Sequence, residues 1–297
     1  MILKQKELSV AKPKIAILLA AYEGISYIEE QINSILKQED VDITLFVSVD
    51  LSTDNTYEFV KSLEEKNKSI NVLPYGEKFG GASRNFFRLI RDVEINQYDF
   101  VAFSDQDDIW LKRKIKHACN IIKNFDYDAF SSDIITFSEG AAKNYLKKSF
   151  PQKKYDYLFE AAGPGCTYVV KSNTLSIFKK FILSNWTSVN EVFLHDWLIY
   201  AFFRSQKYKW HIDNSALIKY RVHEDNVIGI NSGFKSFSKR LKLVYSGFYK
   251  KEIEKIKSLL KIDIKFSYYF FFRNFFQLRR RFRDTLMLFF FFIFKIY

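Results

Sequence analysis

Four short apolar runs, Ile15 to Ala20, Thr44 to Val49, Ile70 to Leu73 and Phe100 to Phe103, recur with amphipathic stretches between them. This alternation constrains the fold more than any other feature of the chain. Each run has the length of a strand and is rich in branched or aromatic side chains. Ile28, Ile32, Ile35 and Leu36 fall at helical spacing after the first run, Phe59, Val60 and Leu63 after the second, and Phe86, Phe87, Ile90 and Val93 after the third. Asp54 is placed to cap the second of these helices. Strand and helix in turn predict a twisted, parallel α/β sheet. Ligands of such sheets bind beyond the carboxyl ends of the strands, where Ala20-Ala21-Tyr22-Glu23, Asp50 and Asp105 converge.

The fourth run ends in Ser104-Asp105-Gln106-Asp107-Asp108, three carboxylates at one strand end. Carboxylates this close repel one another unless a cation or several hydrogen bonds compensate. Oxygen-only ligands suit Mg²⁺ or Mn²⁺, which keep several waters and complete their shell with one or two carboxylates and substrate phosphates. A solvated acidic turn capping the next helix, with Asp108 near its start, is the other reading of these residues.

A chain of 297 residues, 48% hydrophobic, with only 4 prolines and 10 glycines and no low-complexity tract or repeat, can bury a full core. Cys119 and Cys166 are too few for a disulfide framework or a cysteine-rich zinc site, so a reducing interior is the default. Met1 to Lys14 mixes charges with single apolar residues and has no signal-peptide core. The net charge of +12 calls for an anionic partner: nucleic acid, a membrane surface or an acidic substrate. Its distribution favours the membrane. From Phe266 to Tyr297, Arg273, Arg279, Arg280, Arg281, Arg283 and Lys295 face only Asp284 and are interleaved with runs of Phe. The last apolar run, Leu286 to Phe294, falls short of the roughly 20 residues of a spanning helix, so this segment is expected to lie on an anionic interface. A helix pair packed on the rest of the protein, with solvated arginines, is the alternative.

Farther along, Ile115 to Lys123 reads as a helix, Ala129 to Phe137 as a strand, Ser138 to Glu160 as a loop, and Cys166 to Val170 as a strand after the turn Gly163-Pro164-Gly165. Val192 to Phe203 fits a helix with His195 and Asp196 in its first turns, and Lys209 to Arg221 one or two strands. From Lys235 the chain turns helical and basic, with Leu241, Val244, Tyr245 and Phe248 on one stripe, which puts a domain boundary near Gly233.

The ordered set Ala20-Ala21-Tyr22-Glu23, Asp50, Arg84 after Gly80-Gly81, Ser104-Asp105-Gln106-Asp107-Asp108-Ile109-Trp110, His195-Asp196-Trp197 and Tyr220-Arg221-Val222-His223-Glu224-Asp225-Asn226 resembles the inverting nucleotide-sugar glycosyltransferases of family 2, of the GT-A fold. The resemblance covers roughly the first 230 residues, and the last three motifs look most like the bacterial rhamnosyltransferase branch. It implies an α/β fold, a Rossmann-like mixed sheet with helices on both faces, over residues 1–233, followed by a basic, Phe-rich helical extension over 234–297. It further implies a dTDP- or UDP-sugar donor, Mg²⁺ or Mn²⁺, and a lipid-linked saccharide acceptor, L-rhamnose from dTDP-rhamnose being the expected transfer. The protein would then be cytoplasmic and peripheral on the inner face of the plasma membrane.

By the same resemblance, Ala20, Tyr22, Glu23, Asp50, Arg84, Asp105 and Gln106 contact the nucleotide, and Asp107, with Asp105 and His223, holds the metal. Asp196 is the general base, on the face of the sugar opposite the leaving diphosphate. His195, Trp197 and Gly165 lie on the acceptor side. One position departs from the family pattern: where an acidic pair and Gly often follow the second strand, this chain has Val49-Asp50-Leu51-Ser52, which leaves dTDP and UDP undistinguished.

Two other classes fit part of the pattern. Metal-dependent phosphoryl or nucleotidyl transfer also uses paired carboxylates and positive charge. The charge, however, gathers in an apolar tail and no nucleic-acid module is evident, so no nucleic-acid partner is expected. A non-catalytic nucleotide-sugar-binding subunit would have no need of Asp105, Asp107 and Asp196 together.

Overall fold

The computed structural model describes residues 11–138, 142–222 and 242–293. Strand β1 (Lys14–Ala21) shows why its sequence is apolar without interruption. Ile15, Ile17 and Leu19 enter one core, whereas Ala16, Leu18 and Ala20 enter another on the opposite face. A strand covered on both sides has no polar face to alternate with.

The crossover order follows the expectation: α1 (Ile28–Leu36), β2 (Asp42–Val49), α2 (Thr56–Lys66), β3 (Ile70–Val72), α3 (Ala82–Asp92) and β4 (Phe100–Ser104). Pairing of β1 with β2 and β4, and of β2 with β3, is parallel, with Ile17 opposite both Leu45 and Ala102. After β5 (Ile109–Trp110) and α4 (Lys114–Asn124) come β6 (Ala129–Ser132), β7 (Ile134–Phe137) and β8 (Asn144–Leu146). Then follow β9 (Val169–Lys171), α5 (Ser172–Ser184), α6 (Trp186–Val189), α7 (His195–Ser205), β10 (Trp210–Asp213) and β11 (Ile218–Arg221). The main sheet has the order β10-β6-β9-β4-β1-β2-β3, and β5-β11-β7-β8 form a second sheet. Because β9 runs antiparallel to β4 and β6, the main sheet is mixed.

Helices cover both faces. Ile28, Ile32 and Ile35 of α1 and Ile115, Ala118 and Ile122 of α4 fill one core; Phe86, Phe87 and Ile90 of α3, Leu175 and Phe178 of α5, and Leu198 and Phe203 of α7 fill the other.

Three expected elements differ. Ala129 to Phe137 is two strands in two sheets, broken at Asp133. That side chain is fully buried and accepts from the backbone N–H groups of Lys148 and Ser149 and from the hydroxyls of Ser149 and Tyr145, which pins the following loop at the break. Cys166 begins no strand, since Gly165–Thr167 is a 3₁₀ turn ahead of β9. The helix expected from Val192 starts at His195.

The boundary expected near Gly233 lies outside the described residues. Beyond it, helices span Phe248–Leu259, Tyr268–Arg273 and Phe282–Ile293. Ile253, Ile256, Phe271, Leu278 and Leu288 join the core already filled by α3, α5 and α7, so the extension packs on the sheet domain, but Arg280 is buried and not solvated as the alternative reading had it. Among the described residues no helix is long and apolar enough to cross a membrane.

Candidate active site

The carboxyl ends of β1, β2 and β4, the start of α7 and the C-terminal segment enclose a cavity of about 1220 Å³. Ala20, Tyr22, Glu23, Asp50, Asp105, Gln106, Asp107, Gly165, His195, Asp196 and Trp197 all line it. The sequence expectation thus gathers into one place, with two exceptions. Arg84 points away: it donates from Nε to the carbonyl of Asn190 at 2.9 Å and from Nη1 to that of Phe79 at 3.3 Å, bracing the start of α3 against the α6–α7 loop. His223 lies outside the described residues.

Several lining residues are fastened to the protein. The Gln106 amide accepts from the N–H of Tyr22 at 2.7 Å and donates to its carbonyl at 2.8 Å, tying the carboxylate loop to the end of β1. Asp50, only 3% exposed, accepts from the N–H groups of Leu51, Phe79 and Gly80 at 2.7–2.9 Å. Its carboxylate therefore organises the Phe79-Gly80 loop at the cavity wall. Glu23 is similarly engaged with the N–H and hydroxyl of Thr53 at 2.7 and 2.9 Å. Trp197 is 2% exposed and donates its indole N–H to the Tyr157 carbonyl at 2.9 Å, so it is a buried wall and not a free stacking platform.

The three acidic residues divide in role. Asp105 and Asp107 are half-buried at the cavity, whereas Asp108 is 1% exposed and accepts from the Arg221 N–H at 3.2 Å. Arg221 also donates from Nε to the Asp107 carbonyl at 2.9 Å, pairs with Glu30, and lies 4.6 Å from the rings of both Tyr27 and Phe137. This guanidinium, which sequence reading left without a role, holds the loop in shape.

Burial, followed by the charges of Asp107 and Asp196, pushes the Asp105 carboxyl up to about 7. Burial with the charges of Asp107 and Asp105 pushes Asp108 well up as well. Asp108 Oδ2 has no hydrogen-bond partner. Asp105, Asp108 and Cys166 each bring one ligand atom within 4.8 Å of the others. Burial raises the Cys166 thiol, which suits it to donate to the carboxylates and not to ligate a hard cation as thiolate. Nor does the adjacent Lys114 supply the missing charge, because burial drives its ammonium down to about 7. Among the described residues, carboxylates crowded this closely beside a lysine that burial has largely neutralised fit a divalent metal at this cluster.

Also lining the cavity, Asp196 opens α7 and its own carboxylate accepts the Trp197 N–H at 2.8 Å. Burial raises its carboxyl to about 6. His195 stacks on Phe86 with ring centroids 4.0 Å apart, its N–H donates to the Ser83 hydroxyl at 2.8 Å, and burial lowers its imidazole to about 3. A neutral, packed His195 positions α7. Gly165 allows this approach, since a Cβ there would stand 2.7 Å from His195 Nε2 and 3.3 Å from the Asp196 Cβ.

The remaining wall was not foreseen. Lys147, Lys148, Phe150 and Arg279, Arg280, Arg281 and Arg283 also line the cavity. The arginine run is plain in the sequence, but nothing local says that it folds back over the strand ends.

Comparison with known proteins identifies the family. The glycosyl transferase family 2 description matches residues 16–187. The chain is 47% identical over 246 residues to the dTDP-rhamnosyl transferase RfbG of Shigella flexneri, covering 82% of this chain and 85% of that protein. It is 29% identical over 166 residues to the UDP-Glc:alpha-D-GlcNAc-diphosphoundecaprenol beta-1,3-glucosyltransferase WfgD of Escherichia coli, covering 54% of this chain and 61% of that one. The structure of S. aureus TarS 1-349 in complex with UDP-GlcNAc matches with a TM-score of 0.52 at 18% identity, over 83% of this chain and 70% of TarS 1-349. At that identity the likeness speaks for the fold.

Proposed function

The chain belongs to glycosyl transferase family 2 and is a glycosyltransferase, and we propose that it moves L-rhamnose from dTDP-L-rhamnose to a hydroxyl of a lipid-linked saccharide in surface polysaccharide synthesis, with inversion. The observation that carries the reaction type is the placement of Asp196, a carboxyl raised to about 6, in the same cavity as Asp105 and Asp107. The 47% identity to a dTDP-rhamnosyl transferase over most of both chains supports the donor.

In this reading residues 1–233 are the catalytic domain and 234–297 the extension. Asp105 and Asp107 hold Mg²⁺ or Mn²⁺, with His223 as a further ligand. Bound there, the metal supplies positive charge against the leaving diphosphate. Ala20, Tyr22 and Gln106 shape the nucleotide side, and Asp50 holds the Phe79-Gly80 loop against it. Asp196 removes the proton from the acceptor hydroxyl as the new bond forms at the anomeric carbon and the bond to phosphate breaks on the opposite face. A carboxyl at about 6 is largely ionised at neutral pH yet basic enough to share that proton. The exposed Phe272, Phe276, Phe282 and Phe290, set among arginines, favour peripheral attachment to the anionic inner face of the plasma membrane.

A UDP-sugar donor is the second reading, favoured by the UDP-Glc specificity in the name of WfgD, since the lone Asp50 after the second strand does not separate the two nucleotides. The test is donor hydrolysis and transfer across a panel of nucleotide sugars, with Mn²⁺, with Mg²⁺ and with EDTA. We expect dTDP release from dTDP-L-rhamnose alone, abolished by EDTA. Turnover of UDP-glucose in preference would select the second reading, and undiminished turnover in EDTA would remove the metal.

A further inference from the structure

The cavity wall carries both signs of charge. Asp50, Asp105 and Asp107 line it where the strands end, and Lys147, Lys148, Arg279, Arg280, Arg281 and Arg283 line it together with Glu160 and Asp284. Asp196 is near enough to interact electrostatically with both Asp105 and Lys148. A Cβ on Gly163 would be 3.5 Å from Lys148 and one on Gly165 3.3 Å from Asp196, so a single turn touches both the cationic wall and the proposed base.

The wall is built and not merely charged. Arg280 is 8% exposed, and it is fixed by its backbone N–H on Glu160 at 2.6 Å and its Nη2 on the Ala161 carbonyl at 2.5 Å. Its Nε and Nη1, like the Nε of Arg279, are buried with no hydrogen-bond partner. Buried donors left unpaired are uncommon and call for an explanation. Arg281 and Lys147 face the same ring of Phe150, at 5.4 and 5.3 Å. Among the described residues, neither these two nor Arg283 has a carboxylate partner. Holding like charges around one ring is unfavourable unless an anion joins them.

The helix Phe282–Ile293 continues this wall with a different chemistry. Arg283, Asp284, Met287, Leu288 and Phe291 line the cavity at the spacing of a single helical face. Phe282, Leu286, Phe290 and Ile293, 44–58% exposed, occupy another face turned outward. Along the cavity face a cationic start therefore gives way to an apolar strip, Met287 to Phe291, about 6 Å long at 1.5 Å per residue. An anionic head followed by hydrocarbon is complementary to this sequence of surfaces.

We propose that Lys147, Arg281 and Arg283 bind the diphosphate of a polyprenyl-diphosphate-linked saccharide acceptor, and that Met287 and Phe291 cover its first isoprenoid units. The assignment rests on the lipid-linked acceptor proposed above and gives it a location. The saccharide then extends from the cationic wall past Gly163 and Gly165 to Asp196. The C-terminal segment is in this view an acceptor-binding element as well as a membrane contact.

The test uses the full chain with its donor end filled by saturating dTDP and Mg²⁺. Geranylgeranyl diphosphate, geranylgeraniol and inorganic pyrophosphate are titrated calorimetrically. Geranylgeranyl diphosphate is expected to bind at least tenfold more tightly than either of the others. Arg281→Gln with Arg283→Gln should weaken it at least tenfold while leaving dTDP affinity unchanged, and the Lys pair at the same positions should recover most of the loss. Both side chains lack carboxylate partners, so an unchanged melting temperature is expected to exclude misfolding. Indifference of geranylgeranyl diphosphate to the Gln pair would overturn the proposal. So would an equal loss of binding to phosphatidylglycerol vesicles, which would make the arginines a headgroup contact. Failure of dTDP and UDP alike to bind the wild-type chain would instead overturn the donor reading on which the assignment rests.

Discussion

Both hydrogen bonds of the Gln106 side-chain amide go to the backbone of Tyr22, one in each direction, at 2.7 and 2.8 Å. This pairing fastens the loop that carries Asp105 and Asp107 to the end of the central strand. Gly24 makes room for it, since a Cβ there would stand 2.2 Å from Gln106 Oε1. Gln106→Ala removes two hydrogen bonds worth about 1 kcal/mol each and releases the loop. The donor KM is expected to rise roughly tenfold, equivalent to about 1.4 kcal/mol, with a smaller change in kcat. A KM unchanged in steady-state assays would show that the loop holds its shape without the clamp.

Gly165→Ala tests the wall beside Asp196. The added methyl meets His195 Nε2 at 2.7 Å, and His195 cannot yield easily because it is stacked on Phe86. The strain is expected to displace the start of α7 and with it Asp196. A shift of about 1 Å at a reacting group costs on the order of 100-fold in rate. We therefore expect kcat to fall by roughly that factor while donor binding, measured by thermal shift, is retained.

Asp196→Asn should lower kcat by about 10²–10⁴, the contribution of a positioned general base, and leave donor affinity near wild type. If both kcat and donor affinity are unaffected, Asp196 has no part in the reaction.

The pH profile follows from the same residue. The base acts when ionised, and burial places its carboxyl at about 6. With saturating metal holding Asp105 ionised, activity is therefore expected to be level above that pH and to fall about tenfold per unit below it. In the Asn variant this acid limb should vanish from the residual activity. An acid limb centred near 4 would mean that Asp196 is solvated in the working enzyme.

Much of this site was legible because its residues sit at strand ends, where an apolar run followed by carboxylates fixes both element and position. Asp105 and Asp107 line the cavity for that reason, whereas Asp196, in the first turn of α7, was legible only through the family resemblance. What local pattern could not show was how each polar side chain is engaged. Asp50 and Arg84 carry the charge expected of ligand contacts, yet one is occupied by loop amides and the other by two carbonyls. Both engagements depend on loop geometry absent from periodicity. The break at Asp133 was hidden likewise, since Ala129 to Phe137 is apolar enough for one strand and its partners lie at 145–149. The anchoring of Arg280 to Glu160 and Ala161, about 120 residues away, is equally invisible to local pattern.

Adjacent phenylalanines in the C-terminal segment should behave in opposite ways. Phe271 is fully buried, stacks on Phe292 at 3.9 Å and borders Phe159 and Phe266, so it pins the segment to the α3, α5 and α7 core. Phe272 is 72% exposed. Phe271→Ala removes a core aromatic and is expected to cost about 3–5 kcal/mol, lowering the melting temperature by roughly 5–10 °C. Phe272→Ala falls among exposed substitutions and should stay within about 0.5 kcal/mol of wild type. If the outer aromatic face attaches the protein to lipid, the second variant loses affinity for anionic vesicles at unchanged stability. Scanning calorimetry with vesicle co-sedimentation separates the two effects. A Phe272 variant that binds vesicles as well as wild type would move the membrane contact away from this face, whereas a stable Phe271 variant would show that the segment is held by its other core residues and its arginines.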